Sequence, residues 1–395
     1  MAGAAGNDLI DWVLQFATAH DDLDALLTGL SERLVEAQFP LLRASISLPT
    51  IDPSARAVAY IWWRGKGVAT ERVPHGEDQA ENFQRSVIFD LQSRNRDMAR
   101  FRLEDGEGID RFALLRDMQS EGATDYLLRL VPFSGGPVAL AGVALSVATD
   151  RRGGFSDDQC RLVNRLVPAL ALAAYRISIA HIAADALGVY LGPQTGRRVL
   201  AGEIRRGEGE RISAALLNAD LKGFTHLTER EDPLRVVGWL NEHFEAIGNA
   251  VTKRGGEILK FMGDGLLAVF PVSDPQARPC PVCEEALAAA EEAIAANAAV
   301  NRRRVGSGEP PLDVDVVLHF GDVVYGNVGA ARRLDFTVIG RAVNEASRME
   351  ALCDRLGVNL VVSEEFAKRC SRMTEGMGEF ELRGIAGPRR IYRVP

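Results

Sequence analysis

Two aspartates stand where short apolar runs meet glycine. Residues 212–219 read as a strand that ends at Asp220-Leu221-Lys222-Gly223-Phe224-Thr225, with a helix to follow. Residues 257–270 read as two strands joined at Gly263-Asp264-Gly265. Each arrangement lifts a carboxylate onto a tight turn, because glycine accepts backbone angles that other residues avoid. Hard divalent cations take carboxylate oxygens, so the pair could hold metal ions. Backbone N–H groups of the turn after Asp220 could cradle phosphate oxygens. Alone, Asp264 is ordinary hairpin chemistry and Asp220 an ordinary helix cap. Two further features raise the pair above that level. Lys260 lies on the first hairpin strand between Leu259 and Phe261, and Asn344 and Arg348 sit four apart in a helical stretch, so they project from one face.

The elements that must position these residues follow from pattern. Strands are expected at 212–219, 314–320, 323–328 and 359–362, and helices at 233–254, 284–299 and 341–354. Upstream, residues 21–38 have helical spacing through Leu23, Leu26, Leu27, Leu30 and Leu34. Residues 57–63 are a β-branched and aromatic run bounded by Pro53 and Gly65. Two strands, 126–133 and 138–147, are joined at Ser134-Gly135-Gly136-Pro137. Ser156 opens a helix, with Gln159 placed to complete a capping box.

The chain has 395 residues, 47% hydrophobic and 25% charged, enough for two or three domains of ordinary globular composition. A net charge of -8 argues against nucleic acid or an anionic membrane as the main partner. Five cysteines suit a reducing compartment. The amino terminus lacks a charged segment followed by a long apolar run, and the most apolar run, 166–175, is short and contains Pro168. A cytoplasmic protein without a transmembrane segment is expected.

The three motifs Asp220-x-x-Gly-Phe-Thr, Lys260-Phe-Met-Gly-Asp264 and Val343-Asn344-Glu-Ala-Ser-Arg348-Met, in this order, resemble the class III nucleotide cyclases over residues 211–394. The resemblance implies an α+β domain with a ferredoxin-like βαββαβ core, working as a head-to-tail homodimer with shared active sites. It implies ATP as substrate and two Mg²⁺ or Mn²⁺ ions per site, held through Asp220, Asp264 and Leu221. Leu221, Gly223, Phe224 and Thr225 would line the substrate. Asn344 would position the ribose and Arg348 would stabilise the charged transition state. Arg383, in Glu-Leu-Arg-Gly-Ile, would contact the terminal phosphates. Lys260 can donate to adenine N1, whereas guanine N1 carries a hydrogen. Thr337 stands where many adenylate cyclases have Asp, which is similar to the Thr-containing subclass IIIb. A guanylate or mixed-specificity cyclase is the alternative enzyme, and a catalytically silent nucleotide- or partner-binding signalling module the alternative of another kind.

The order of elements before residue 176, with Gly142 to Asp158 carrying most of the likeness, resembles a GAF-type sensor domain. That resemblance implies dimerisation or an unknown small-molecule or protein input. The expected domains are therefore 1–176 (GAF-like), 177–211 (helical connector) and 212–395 (cyclase). Cys280-Pro-Val-Cys283 lacks a second pair or a nearby His, so zinc lacks ligands. Both are expected as incidental thiols in a Pro-marked loop.

Overall fold

The computed structural model describes residues 2–50, 55–133, 140–229, 231–330 and 333–395; the side chains of residues 2–5, 77, 225 and 226 lie outside that description. The chain forms two compact units, Met1–Ala186 and Leu187–Pro395.

The first unit runs α1 (Ala2–Ala19), α2 (Leu23–Glu36), β1 (Arg43–Pro49), β2 (Ala55–Trp63), β3 (Gly67–Pro74), α3 (Glu77–Gln84), α4 (Val87–Ser93), β4 (Met98–Arg102), α5 (Ala113–Ser120), β5 (Asp125–Pro132), β6 (Gly142–Thr149), and then enters α6 (Asp157–Leu191). Its strands make one antiparallel sheet in the order β3-β2-β1-β6-β5-β4. Strand alternation sends Ala44, Ile46 and Leu48 into a core with α1, α2 and α6. Arg43 and Ser45 face the other side, where α4 and α5 pack. The capping box forms as expected: Ser156 N–H donates to Gln159 Oε1 at 2.9 Å, and Gln159 N–H to Ser156 Oγ at 3.4 Å. The turn expected at Ser134-Gly135-Gly136-Pro137 lies outside the described residues. Helix α6 is long and apolar enough to cross a membrane by length and composition, but half of that stretch is buried within the protein, as in a core helix.

The second unit runs α7 (Pro193–Leu200), β7 (Gly209–Leu221), α8 (Phe224–Thr228), α9 (Pro233–Lys253), β8 (Glu257–Met262), β9 (Gly265–Val272), α10 (Pro281–Gly306), β10 (Val314–Ala330), β11 (Arg333–Ile339), α11 (Arg341–Met349), α12 (Ala351–Leu356), β12 (Leu360–Ser363), α13 (Glu364–Ala367), β13 (Glu375–Phe380) and β14 (Arg389–Arg393). The sheet order is β13-β14-β12-β10-β7-β9-β8, with β11 on β10. Its β10-β7-β9-β8 portion, with α9 and α10 as crossovers, is the βαββαβ arrangement. One face packs on α9 and α10, the other on α11 and α12.

Two expectations change. The strands expected at 314–320 and 323–328 are one strand, β10. Gly321 stays in the ladder opposite Ala214, and a Cβ there would lie 2.6 Å from that of Ala342, so this glycine admits a helix rather than a turn. Helix α10 begins at Pro281, with Cys280 as its N-cap accepting from Cys283 N–H at 3.4 Å. Proline is tolerated in the first helical turn because its missing N–H has no intrahelical partner to lose. Both cysteines are therefore buried core, and burial pushes the Cys283 thiol well above its usual range.

Strands β10 and β11 form an arm held against β8. The Tyr325 hydroxyl donates to Glu257 Oε2 at 2.6 Å, and Lys260 Nζ lies 3.7 Å from Asp335 Oδ2. Glu257 Oε1 also accepts from Thr195 N–H at 2.9 Å, tying the start of α7 to the same strand.

Candidate active site

Each glycine of the hairpin has its own reason. Gly263 has φ +67° at the first central position of the two-residue turn between Met262 and Gly265. A Cβ on Gly265 would lie 2.6 Å from Asp220 Oδ1 and 2.9 Å from the Ala219 carbonyl oxygen. The hairpin thus presses directly on the end of β7, and Asp264 comes close enough for its charge to act on Asp220.

The result is a crowd of acids. Burial, then the charges of Glu350 and Asp264, a hydrogen bond with Glu350 and the charge of Asp315 push the Asp220 carboxyl up to about 7. Burial raises Glu350 as well, although Asn218 Nδ2 donates to its Oε2 at 2.7 Å. Asp315, opposite Asp220 in the ladder, is compensated by Lys222 Nζ at 3.0 Å. Glu350 was not among the residues singled out from sequence. A glutamate at a helix end carries no spacing signal; its only mark is its place two residues after Arg348.

A half-buried carboxylate pushed up to about 7 by burial and neighbouring acids fits a hard divalent cation, whose charge would offset that crowding. Among the described residues no cluster of three His, Cys, Asp or Glu side chains is set to hold a metal. Asp220 and Asp264 would hold a cation as a pair, with other positions left to backbone, water or substrate oxygens. Leu221 has a buried side chain, so it offers backbone atoms only. Gly223 has φ +66° and turns the chain into α8, which spans five residues. Phe224 is buried, and the Thr225 side chain lies outside the described ones.

The arm gathers a second group. The β8–β9 register shifts between Ile258 and Lys260, making Leu259 the extra residue of a bulge. Leu259 is buried in the core while Lys260 turns to Asp335. Asp335 and Thr337 are two apart on β11 and share a face. Thr337 is 5% exposed, and its hydroxyl has no hydrogen-bond partner among the described residues. An orphan of this kind costs about 1–3 kcal/mol unless something outside the chain satisfies it.

Asn344 and Arg348 form a third group. Helix α11 buries Ala342, Glu345, Ala346 and Met349 and leaves these two exposed on another face. The buried Glu345 is held by Arg341 at 2.6 Å and Arg389 at 3.0 Å. Among the described residues, Asn344 and Arg348 have no side-chain hydrogen bond or ion pair, and neither bonds to the acids. Arg383 is exposed in the loop between β13 and β14. The single chain therefore brings the charge of Asp264 to bear on Asp220 and sets Lys260 against Asp335, two residues before Thr337. It does not bond either group to Asn344, Arg348 or Arg383.

Residues 210–394 match the family described as the adenylate and guanylate cyclase catalytic domain. The second unit thus carries a cyclase catalytic domain. An adenylate cyclase of Anabaena cylindrica is 32% identical over 156 residues, covering 40% of this chain and 30% of that protein. Adenylate cyclase 1 of Rhizobium meliloti is 32% identical over 179 residues, covering 44% of this chain and 26% of that protein. The solved structure of the adenylyl cyclase CyaB from P. aeruginosa is 27% identical, covering 48% of this chain and 96% of its own, with a TM-score of 0.41. The chain spans less than a third of the length of these two curated relatives.

Proposed function

We propose that the chain is an adenylate cyclase that converts ATP to 3′,5′-cyclic AMP and pyrophosphate at sites shared between two copies. The observation that carries this reading is the Asp220–Asp264 pair, pressed together by Gly265, with Asp220 raised to about 7. Two Mg²⁺ or Mn²⁺ ions bound there would lower the pKa of the ribose 3′-hydroxyl and offset the charge of the leaving pyrophosphate. Lys260 donates to adenine N1, leaving its exposed contact with Asp335. The orphan Thr337 hydroxyl accepts from the adenine amine. Asn344 orients the ribose, Arg348 stabilises charge on the phosphate undergoing attack, and Arg383 contacts the terminal phosphates.

Two features support sharing between copies. Asn344, Arg348 and Arg383 have no partner of their own chain among the described residues. Phe261, Met262, Val324, Val328 and Ile339 form an exposed apolar rim around hairpin and arm, of the kind a second copy covers. We further place the amino-terminal residues 1–176 as a GAF-like input module and 177–211 as its connector, in a reducing cytoplasm that suits five free cysteines. The six-stranded antiparallel sheet with helices on both faces supports the first assignment.

Thr337 in place of a carboxylate favours looser base choice, so GTP is the second substrate to try. The test is purified full chain with ATP or GTP and Mn²⁺, the products separated by chromatography. Cyclic AMP in excess of cyclic GMP is expected. No cyclic nucleotide from either, or equal yield from Asp220→Ala, would overturn the assignment.

A further inference from the structure

The face of the first sheet that meets α4 and α5 is polar and yet buried. Arg43, Ser45 and Ser146 lie on it at neighbouring positions, Ser45 pairing directly with Ser146 across β1 and β6. Arg43 is 6% exposed, Ser45 7% and Ser146 4%. The two serine hydroxyls are 2.6 Å apart, and Arg43 Nη1 donates to them at 3.4 and 3.3 Å. Tyr126, buried on β5, lines the same floor.

This polar floor lines a cavity of about 580 Å³. Among the described residues no carboxylate lies within ion-pair distance of Arg43; the Trp63 ring is 5.7 Å away, and the charge of Glu71 across the cavity acts on the guanidinium without pairing with it. A guanidinium taken out of water without an anion is strongly disfavoured, and neutral hydroxyls at long range compensate little. Burial accordingly lowers the Arg43 pKa.

The other charged groups of the lining are mostly of the same sign. Arg85, Arg111 and Arg116 stand around the cavity with one acid, Glu71. Arg111 is paired with Asp90 at 2.6 Å and Arg85 with Glu81 at 3.8 Å. Among the described residues Arg116 has only the Ile109 carbonyl, at 3.1 Å. Helix α5 starts at the cavity and has no side-chain cap at Phe112, so its first N–H groups also point a partial positive charge there. Leu114, Ile88 and Leu128 supply apolar walls.

We propose that this cavity is a binding site for a small organic oxyanion, a carboxylate or phosphate ester with an apolar body, whose charged end pairs with Arg43. The volume suits a small-molecule ligand, and a single buried arginine fixes its orientation. The inference deepens the input-module reading above by naming the ligand class. The binding site itself stands or falls on direct binding.

The test uses the full chain and calorimetric titration with benzoate, inorganic phosphate and, as neutral control, benzamide. Saturable 1:1 binding of benzoate or phosphate, on the order of 1 mM for so small a probe, is expected, with none for benzamide. The anion that binds separates carboxylate from phosphate recognition. Arg43→Met should abolish binding, raise Tm in the absence of anion and remove the Tm gain that the anion gives wild type. Arg116→Gln, at an exposed rim position, should weaken binding several-fold with Tm unchanged. Binding by neither anion, or Arg43→Met binding as wild type does, would overturn the site. Cyclase rate is read separately: anion binding that leaves the rate unchanged supports the site and refutes its regulatory role.

Discussion

Replacing Asp220 by asparagine is expected to stabilise the metal-free protein while ending turnover. The carboxyl is pushed from 3.8 to about 7. At full effect that shift is worth ~4 kcal/mol of destabilisation at pH 8. Asp220 is only half-buried, so solvent screening reduces this to ~1–2 kcal/mol. For a unit near 200 residues that is roughly 2–8 °C in Tm. The sign follows from proton binding. The folded state keeps a proton that the unfolded state gives up. The associated stability is therefore intact below the unfolded pKa of 3.8 and is lost as pH rises through about 7. Asparagine cannot ionise, so its gain is largest at pH 8 and close to nil below about pH 4. Calorimetry in a chelator at both pH values checks this, and Mn²⁺ should raise Tm of wild type more than that of Asp220→Asn. A lower Tm for the variant at pH 8, or the same gain at both pH values, would refute the argument.

Three other outcomes are expected. Asp220→Ala and Arg348→Ala chains, each inactive, should regain activity on mixing, since one heterodimer site collects both lesions and the other is intact; proven subunit exchange without activity removes the shared site. Gly265→Ala should cost about 1–3 kcal/mol of stability by overpacking and about 100-fold in kcat by displacing Asp220, and near-wild-type kcat would show that the contact does not position the acid. Lys260→Glu with Thr337→Cys should move the kcat/KM ratio from ATP towards GTP, whereas Arg348→Ala should slow both nucleotides alike; an unchanged ratio in the double variant means these two residues do not read the base.

Much of the second unit was legible because its signals are local. The Gly-Asp-Gly turn, the apolar strands beside it and the amphipathic α9 follow from short-range spacing and burial. Glu350 was not legible, because its meeting with Asp220 depends on how α11 crosses the sheet. The continuity of β10 was missed for a related reason: Gly321 looks like a turn until Ala342 packs on it. In the first unit, β1 reads Arg-Ala-Ser-Ile-Ser-Leu, an alternation that suggests one wet face. Only the short helices α4 and α5, which carry few periodic apolar positions, turn that face into an interior. The Asp335 contact of Lys260 likewise depends on the arm folding back, which no stretch of sequence announces.

Glu257 gives the start of α7 a mechanical consequence. Its two oxygens grip the first turn of α7 and the Tyr325 hydroxyl at once, and the position is 2% exposed. A Cβ on Gly192 would lie 2.8 Å from Oε1, so there is no slack around the joint. The base of α7 is therefore tied by one buried side chain to both β8 and the arm. A twist of α7 would reach β8 at Glu257, three residues before Lys260, and the arm that carries Thr337. The acid pair lies at the far end of that strand, beyond the bulge at Leu259. Twisting at this tie should register first as a change in nucleotide affinity, and only later as a change in the chemical step.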